Sequence, residues 1–228
     1  MRLLLNEPET PTTRRVRLDL DGIPFSYAAG QAASLASGPG EPTPYSIASA
    51  PHETARYGWL EFLVKVRESS RFGAIVETLQ PGALIHVQGP IGNFILPELS
   101  AGLPLVFIAG GTGIAPLRAM LHHALNVPHD EIGLLFSART PAEFAYEEEF
   151  RSLAEAGRIE LELRVTREVG DDWDGVRGRL GRDDLAPLVH GRATLCFVCG
   201  PPALVQEIPQ ILVDLGVPRE RIKTEEWQ

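Results

Sequence analysis

The sequence predicts a two-domain chain, an all-β antiparallel barrel followed by an α/β domain on a parallel sheet. Three observations predict it. The 228 residues suffice for one large domain or two ordinary ones. Up to about residue 99, short alternating runs are broken by Gly and Pro, as in antiparallel barrels and sandwiches. From Leu103 onward, continuous apolar runs alternate with helical patterns, as a parallel sheet covered on both faces requires. The boundary falls at residues 96–103, where Pro97, Gly102 and Pro104 interrupt both periods, giving domains over 1–99 and 100–228.

In the first half, strands are expected over residues 16–20, 33–35, 45–48, 60–66 and 84–87. One helix is expected over 71–79, stopped by Pro81 and Gly82. In the second half the apolar runs LVFIAG, IGLLFSA, IELELRVT and ATLCFVCG read as strands, and IAPLRAMLHHAL, PAEFAYEEEFRSLAEAG and PPALVQEIPQILVDLG as helices; RIKTEEW closes the series.

Composition removes several function classes. A formal charge of −9 argues against wrapping nucleic acid. The acidity is uneven: residues 1–99 carry 8 basic and 10 acidic side chains, the rest 13 and 20. No apolar run approaches the roughly 20 residues of a bilayer span. The short Leu cluster of MRLLLNEPETP falls short of a signal-peptide core, so a cytoplasmic location is expected. Two cysteines, Cys196 and Cys199, exclude a disulfide framework and an iron–sulfur cluster held by this chain. Three apart on a strand, they face opposite sides and read as separate thiols.

Two turns attract attention in the second half. FIAGGTGIAP (residues 107–116) takes a buried strand through Gly110, Gly111 and Gly113 into a helix expected at Pro116. The glycines admit a ligand close to the backbone, and the helix start offers amides to a phosphate or polar ring. Alone, the pattern equally fits an ordinary strand–helix turn or a standard dinucleotide fold. FVCGPP (residues 197–202) repeats the design, with Cys199 at a strand's carboxyl end, where α/β folds bind ligands. Taken alone, Cys199 also reads as a buried small hydrophobe. In the first half, TPYSIASAP (residues 43–51) sets an aromatic beside a hydroxyl on a strand, and QGPIGNF (residues 88–94) reads as a barrel corner. Glu147, Glu148 and Glu149 fall in the first half of the second helix, where acids complement the dipole. His122 and His123 lack a third metal ligand, so no metal site is expected.

Together PYSIAS, GPIGNF, IAGGTGIAP, CGPP and a terminal TEEW, in this order, resemble the ferredoxin–NADP⁺ reductase superfamily, from about residue 14 to 227. The resemblance implies a flavin-binding barrel followed by an NAD(P)-binding domain, without an iron–sulfur domain. It places Tyr45 against the isoalloxazine of FAD, Ser46 beside flavin N5, and Trp227 over the second flavin face. Further FAD contacts are implied for Thr43 and Ile47, for Val64 and Lys65, for Gly73, Ala74 and Ile75, and for Thr112. Ser46, Cys199 and Glu225 would be the catalytic groups. On the nucleotide side it implies Gly111, Thr112, Gly113 and Pro116, then Cys199, Gly200 and Pro201, and at two other strand ends Ser137, Arg139, Thr166 and Arg167.

Two positions depart from the family pattern. Thr43 stands where an Arg holds the flavin pyrophosphate, and Val76 where a hydroxyl is expected after Gly73. Backbone amides at 73–75, with Arg71 or Arg67, would then carry the phosphates. Arg139 and Arg167, the latter in Thr166-Arg167-Glu168, favour NADP(H) over NAD(H), because a 2′-phosphate suits guanidinium pairs. The activity implied is hydride transfer from NAD(P)H to FAD, then electron delivery to a separate ferredoxin, flavodoxin or oxygenase component. Docking is expected on the less acidic first domain, near Arg14, Arg15 and Arg17. The alternative is a non-catalytic nucleotide- or partner-binding subunit that has lost flavin.

Overall fold

The structure, a computed structural model, describes residues 1–38, 41–66, 71–98, 102–167 and 173–227. The chain forms two compact units. One comprises Met1–Leu96 with Arg118–His123; the other comprises Pro97–Leu117 and Ala124–Gln228. The fold class is the one the sequence predicts, with antiparallel sheets first and a parallel sheet with helices second.

In the first unit, β1 (Arg2–Thr10), β2 (Thr13–Asp19) and β5 (Trp59–Lys65) form one sheet, and β4 (Thr43–Ser46), β3 (Ala32–Ala36) and β6 (His86–Ile91) the other. Single antiparallel bridges, Arg2 to Leu84 and Ile47 to Phe62, join the two sheets into a six-stranded barrel. Inward positions of alternating strands fill its core: Val16 and Leu18 from β2, Leu60, Phe62 and Val64 from β5, Ala33 and Leu35 from β3. Helix α1 (Pro51–Tyr57) has Pro51 at its first position and Glu53 accepting from the Ala50 N–H at 2.7 Å; Gly58, at φ +75°, stops it. Helix α2 (Arg71–Ile75) continues as a 3₁₀ turn over Val76–Thr78.

In the second unit six parallel strands lie in the order β10-β9-β8-β7-β11-β12. They are β7 (Leu105–Gly110), β8 (Ile132–Ala138), β9 (Glu160–Val165), β10 (Val176–Arg177), β11 (Leu195–Gly200) and β12 (Ile222–Glu226). Chain order reverses between β7 and β11, a topological switch point. Alternate residues of β7 and β11 pack into one core, Val106 and Ile108 with Cys196 and Val198. On the opposite face Phe107 and Phe197 stack at 5.5 Å. The helix Pro202–Asp214 covers the first face through Ile208 and Leu212. Cys196 and Cys199 are separate buried free thiols, as the strand reading requires.

Some elements differ from expectation. Strand β1 and helix α1 were not anticipated. The helix after the glycine turn, α3 (Ile114–Leu125), begins at Ile114, so Pro116 is its third residue, still in the first turn, where proline's missing N–H costs no helical bond. The expected second helix is shorter: α4 (Glu147–Glu155) starts at the three glutamates, after Tyr146 at φ +59°. Residues 88–91 of the expected corner lie within β6.

Candidate active site

In the second unit, the two glycine turns at the switch point interlock. A Cβ on Gly113 would lie 2.3 Å from the Cys199 carbonyl oxygen, and one on Gly110 would lie 2.7 Å from Cδ of Pro201. A Cβ on Gly200 would lie 2.9 Å from Cδ2 of Leu204 and 3.0 Å from the Gly110 backbone. Close packing leaves these glycines no room for a side chain, and around Gly113 the neighbouring atoms are backbone. Gly111 is different. It is exposed, sits at φ +55°, and a Cβ there would meet nothing within 4 Å. The turn thus presents bare backbone beneath open space, which suits a flat or phosphorylated ligand. Thr112 is half-buried in this turn; Gly113 and Pro116 are buried.

Strand β12 completes this side. Cys199 and Glu225 are register partners on neighbouring parallel strands, so their side chains share a face. The Trp227 N–H donates to the Gly200 carbonyl at 3.0 Å, and its indole N–H to Oε2 of Glu225 at 2.6 Å. Burial raises the Glu225 pKa, with the indole hydrogen bond partly opposing. Burial, then the Glu225 carboxylate, raises the Cys199 thiol well above its ordinary value, so it is held protonated. The structure therefore brings Cys199, Gly200, Pro201, Glu225 and Trp227 together with the glycine turn.

At the next strand ends, Ser137 Oγ donates to the Ala109 carbonyl at 3.2 Å and Thr166 Oγ1 to the Ala138 carbonyl at 3.0 Å. The Arg167 N–H donates to the Arg139 carbonyl at 3.1 Å, setting the two residues side by side. Both are exposed, and among the described residues no carboxylate pairs with either guanidinium.

In the first unit the candidate residues gather on β4. Along Thr43–Ser46 this strand is laddered only to β3; β5 meets it at the single bridge of Ile47 to Phe62. An unladdered strand edge carries N–H and C=O groups able to meet the polar rim of a heterocycle. Tyr45 is buried, its ring 5.7 Å from that of Phe72 on α2 and tilted by 59°. Ser46 is buried beside it, and Thr43 is half-buried at the strand's start. Gly73 is buried, Ala74 exposed and Ile75 half-buried on α2. Val64 is wholly within the barrel core, so only its backbone is available, and Lys65 is half-buried at the end of β5. Val76 is also core, which explains an apolar residue there. Arg67 and Glu168 lie outside the described residues, as does the Arg71 side chain.

The arginines expected to mark the docking side have partners within the barrel. Arg15 pairs with Glu7 and Glu9 and Arg17 with Glu61 at 2.6 Å, whereas Arg14, among the described residues, bonds only the neutral Asn6 and keeps its charge.

One group of residues escaped the sequence reading. Arg118, on α3 and 5% exposed, donates to the Ala48 carbonyl at 2.8 Å and contacts both Glu53 oxygens at 3.2 and 3.4 Å. A polar side chain within an otherwise apolar helical stretch was the available signal.

The comparisons agree with this geometry. The oxidoreductase FAD-binding domain family matches residues 3–95 and the oxidoreductase NAD-binding domain family residues 107–210. Ferredoxin–NADP reductase B of Sorangium cellulosum (strain So ce56) is 31% identical, over 99% of this chain and 96% of that protein. The ferredoxin–NAD(P)(+) reductase component of the Pseudomonas putida naphthalene 1,2-dioxygenase system is 30% identical, over 94% of this chain and 65% of its own length. Among solved structures, the Amycolatopsis cytochrome P450 reductase GcoB has a TM-score of 0.85 at 28% identity, covering 99% of this chain and 68% of that one. The Neisseria gonorrhoeae ferredoxin NADP⁺ reductase, with bound FAD and NADP, shares the fold at a TM-score of 0.83 and 22% identity, covering 99% and 96%. Barrel, switch point, glycine turns and relatives lead to one assignment: the chain belongs to the ferredoxin–NADP⁺ reductase superfamily and is an FAD-dependent NAD(P)H oxidoreductase.

Proposed function

We propose that this enzyme oxidises NADPH and passes the electrons to a separate redox protein, a ferredoxin, a flavodoxin or an oxygenase component. The observation that supports the nucleotide choice is the backbone bond between Arg167 and Arg139, which makes two exposed arginines neighbours at adjacent strand ends. Such a pair suits a ribose 2′-phosphate better than bare hydroxyls. The Sorangium relative, a ferredoxin–NADP reductase by name, supports the same choice. The named role of the Pseudomonas relative within a dioxygenase system supports a protein acceptor.

When bound, FAD supplies a ring nitrogen that accepts hydride and a ring that releases electrons singly. The protein's part is placement. Tyr45, backed by Phe72, would hold the flavin ring while the β4 edge meets its polar rim and Ser46 lies at its reactive nitrogen. The amides of Gly73, Ala74 and Ile75, with Thr43, would hold the phosphates. In the second unit Gly111, Thr112 and Gly113 would admit the nicotinamide, with Ser137 and Pro201 on its nucleotide path. Cys199 would pack a neutral, weakly solvated surface against it. Glu225, buried and tied to Trp227, would hold a proton near the reacting ring.

Stopped-flow mixing of FAD-loaded protein with NADPH and, separately, with NADH tests the reading. Flavin reduction should be faster with NADPH. R139A and R167A should each raise the half-saturating NADPH concentration by on the order of 10-fold, leaving NADH little changed. Faster reduction by NADH would overturn the nucleotide assignment, and wild-type protein that ignores FAD would overturn the proposed flavin site.

A further inference from the structure

Directly after β4, Ala48, Ser49 and Ala50 are wholly buried yet belong to no helix or strand. Most of their polar groups are met individually. The Ala48 N–H donates to the Glu61 carbonyl at 2.8 Å, and the Ala48 carbonyl accepts from Arg118 Nη1 at 2.8 Å. The Ser49 carbonyl accepts from the Tyr27 hydroxyl at 2.8 Å, and Ser49 Oγ accepts from the Glu61 N–H at 3.1 Å. The Ala50 N–H donates to Glu53, the same carboxylate that Arg118 grips. Glu61 is itself wholly buried, held by Arg17 on one oxygen, while its other oxygen has no hydrogen-bond partner and lies 3.9 Å from Arg118.

A buried guanidinium is an expensive way to satisfy one carbonyl. Apolar replacements of buried ion pairs commonly leave stability equal or higher, so stability alone does not account for this cluster. What the cluster fixes is geometry, because the segment lacks a ladder and begins two residues beyond Ser46. We infer that Arg118 is a positioning residue: by holding the Ala48 carbonyl and Glu53 together, it sets the backbone that presents Ser46. The inference rests on the role proposed for Ser46 above.

FAD-loaded R118K and E53Q proteins test it. Lysine reaches one of the two partners but not both, and glutamine keeps the Ala50 contact while discarding the charge. Expected are amide exchange at Ile47, Ala48 and Ala50 faster by about tenfold or more relative to β2, beyond the uniform change that a lower urea midpoint brings when a buried charge loses its partner. The flavin should stay bound with shifted visible bands. Its reduction by NADPH should slow by about tenfold or more at an unmoved half-saturating concentration. Unaltered local exchange, or locally faster exchange with a wild-type reduction rate, would overturn the inference. So would failure of both variants to fold, or losses tracking a lower urea midpoint, because the role would then be structural. Exchange is measurable whether or not flavin binds, so failure of the proposed flavin site would show separately, in the wild type.

Discussion

The ligand sides proposed for the two units are built from different materials. In the second, backbone makes the surface: glycines let two strand ends interlock, and Gly111 leaves bare main chain under open space. In the first, a strand edge and an aromatic ring make it, and buried side chains around Ala48, Ser49 and Ala50 hold the strand's exit. Interlocked backbone, as at Gly113, tolerates almost no added atoms. A side-chain-made surface can be loosened by degrees. The two sides should therefore fail differently.

The sharpest way to break that contrast is Gly113→Ala. Its Cβ would meet only backbone, the Cys199 carbonyl and the Gly200 nitrogen, neither of which can yield cheaply. A loss of about 3 kcal/mol is expected, read from urea unfolding, together with loss of flavin reduction by NADPH. Gly111→Ala, with open space but a left-handed backbone, should cost about 1 kcal/mol. If the two substitutions cost the same, the interlocked turn is not what holds the second unit's site.

Next in size comes Cys199→Ala, which removes a side chain and leaves the backbone in place. Flavin reduction should slow by on the order of 10²-fold with flavin retained, as absorbance would show. Release of the flavin would mean that Cys199 has a different role.

The smallest effect concerns pH. Glu225 titrates near 4.5 when unfolded, and burial raises its pKa in the folded protein. Between those values the folded state binds more protons than the unfolded one, so this group's contribution to stability falls as pH rises through the window. Below the unfolded value the penalty is absent. Urea midpoints measured across that range should fall more steeply for wild type than for E225Q. Parallel curves would show that the carboxyl is not desolvated by its place beside Cys199 and Trp227.

Legibility from sequence also differed between the units. Strand β1 escaped because its register shifts, between Leu3 and Leu5 and between Pro8 and Thr10, break the period-2 pattern; only Leu3 and Thr10 are buried. Helix α1 escaped because seven residues with only Thr54 buried show no apolar stripe. The fully buried strands β7, β8 and β11 were plain, since apolar runs bounded by Gly and Pro have few other readings.

The sequence by itself determined the change of grammar near residue 100, the two glycine turns and the separateness of the two thiols. Each follows from local rules: side-chain period, glycine's access to positive φ, and the alternation of a strand. Tertiary structure alone decided that Cys199 faces Glu225, that Arg139 lies beside Arg167, and that Arg118 holds Glu53 and Ala48. Those pairs are joined by strand order and by buried charge across 26 to 70 residues of chain, and no periodicity within a single element records which distant partner a side chain will meet.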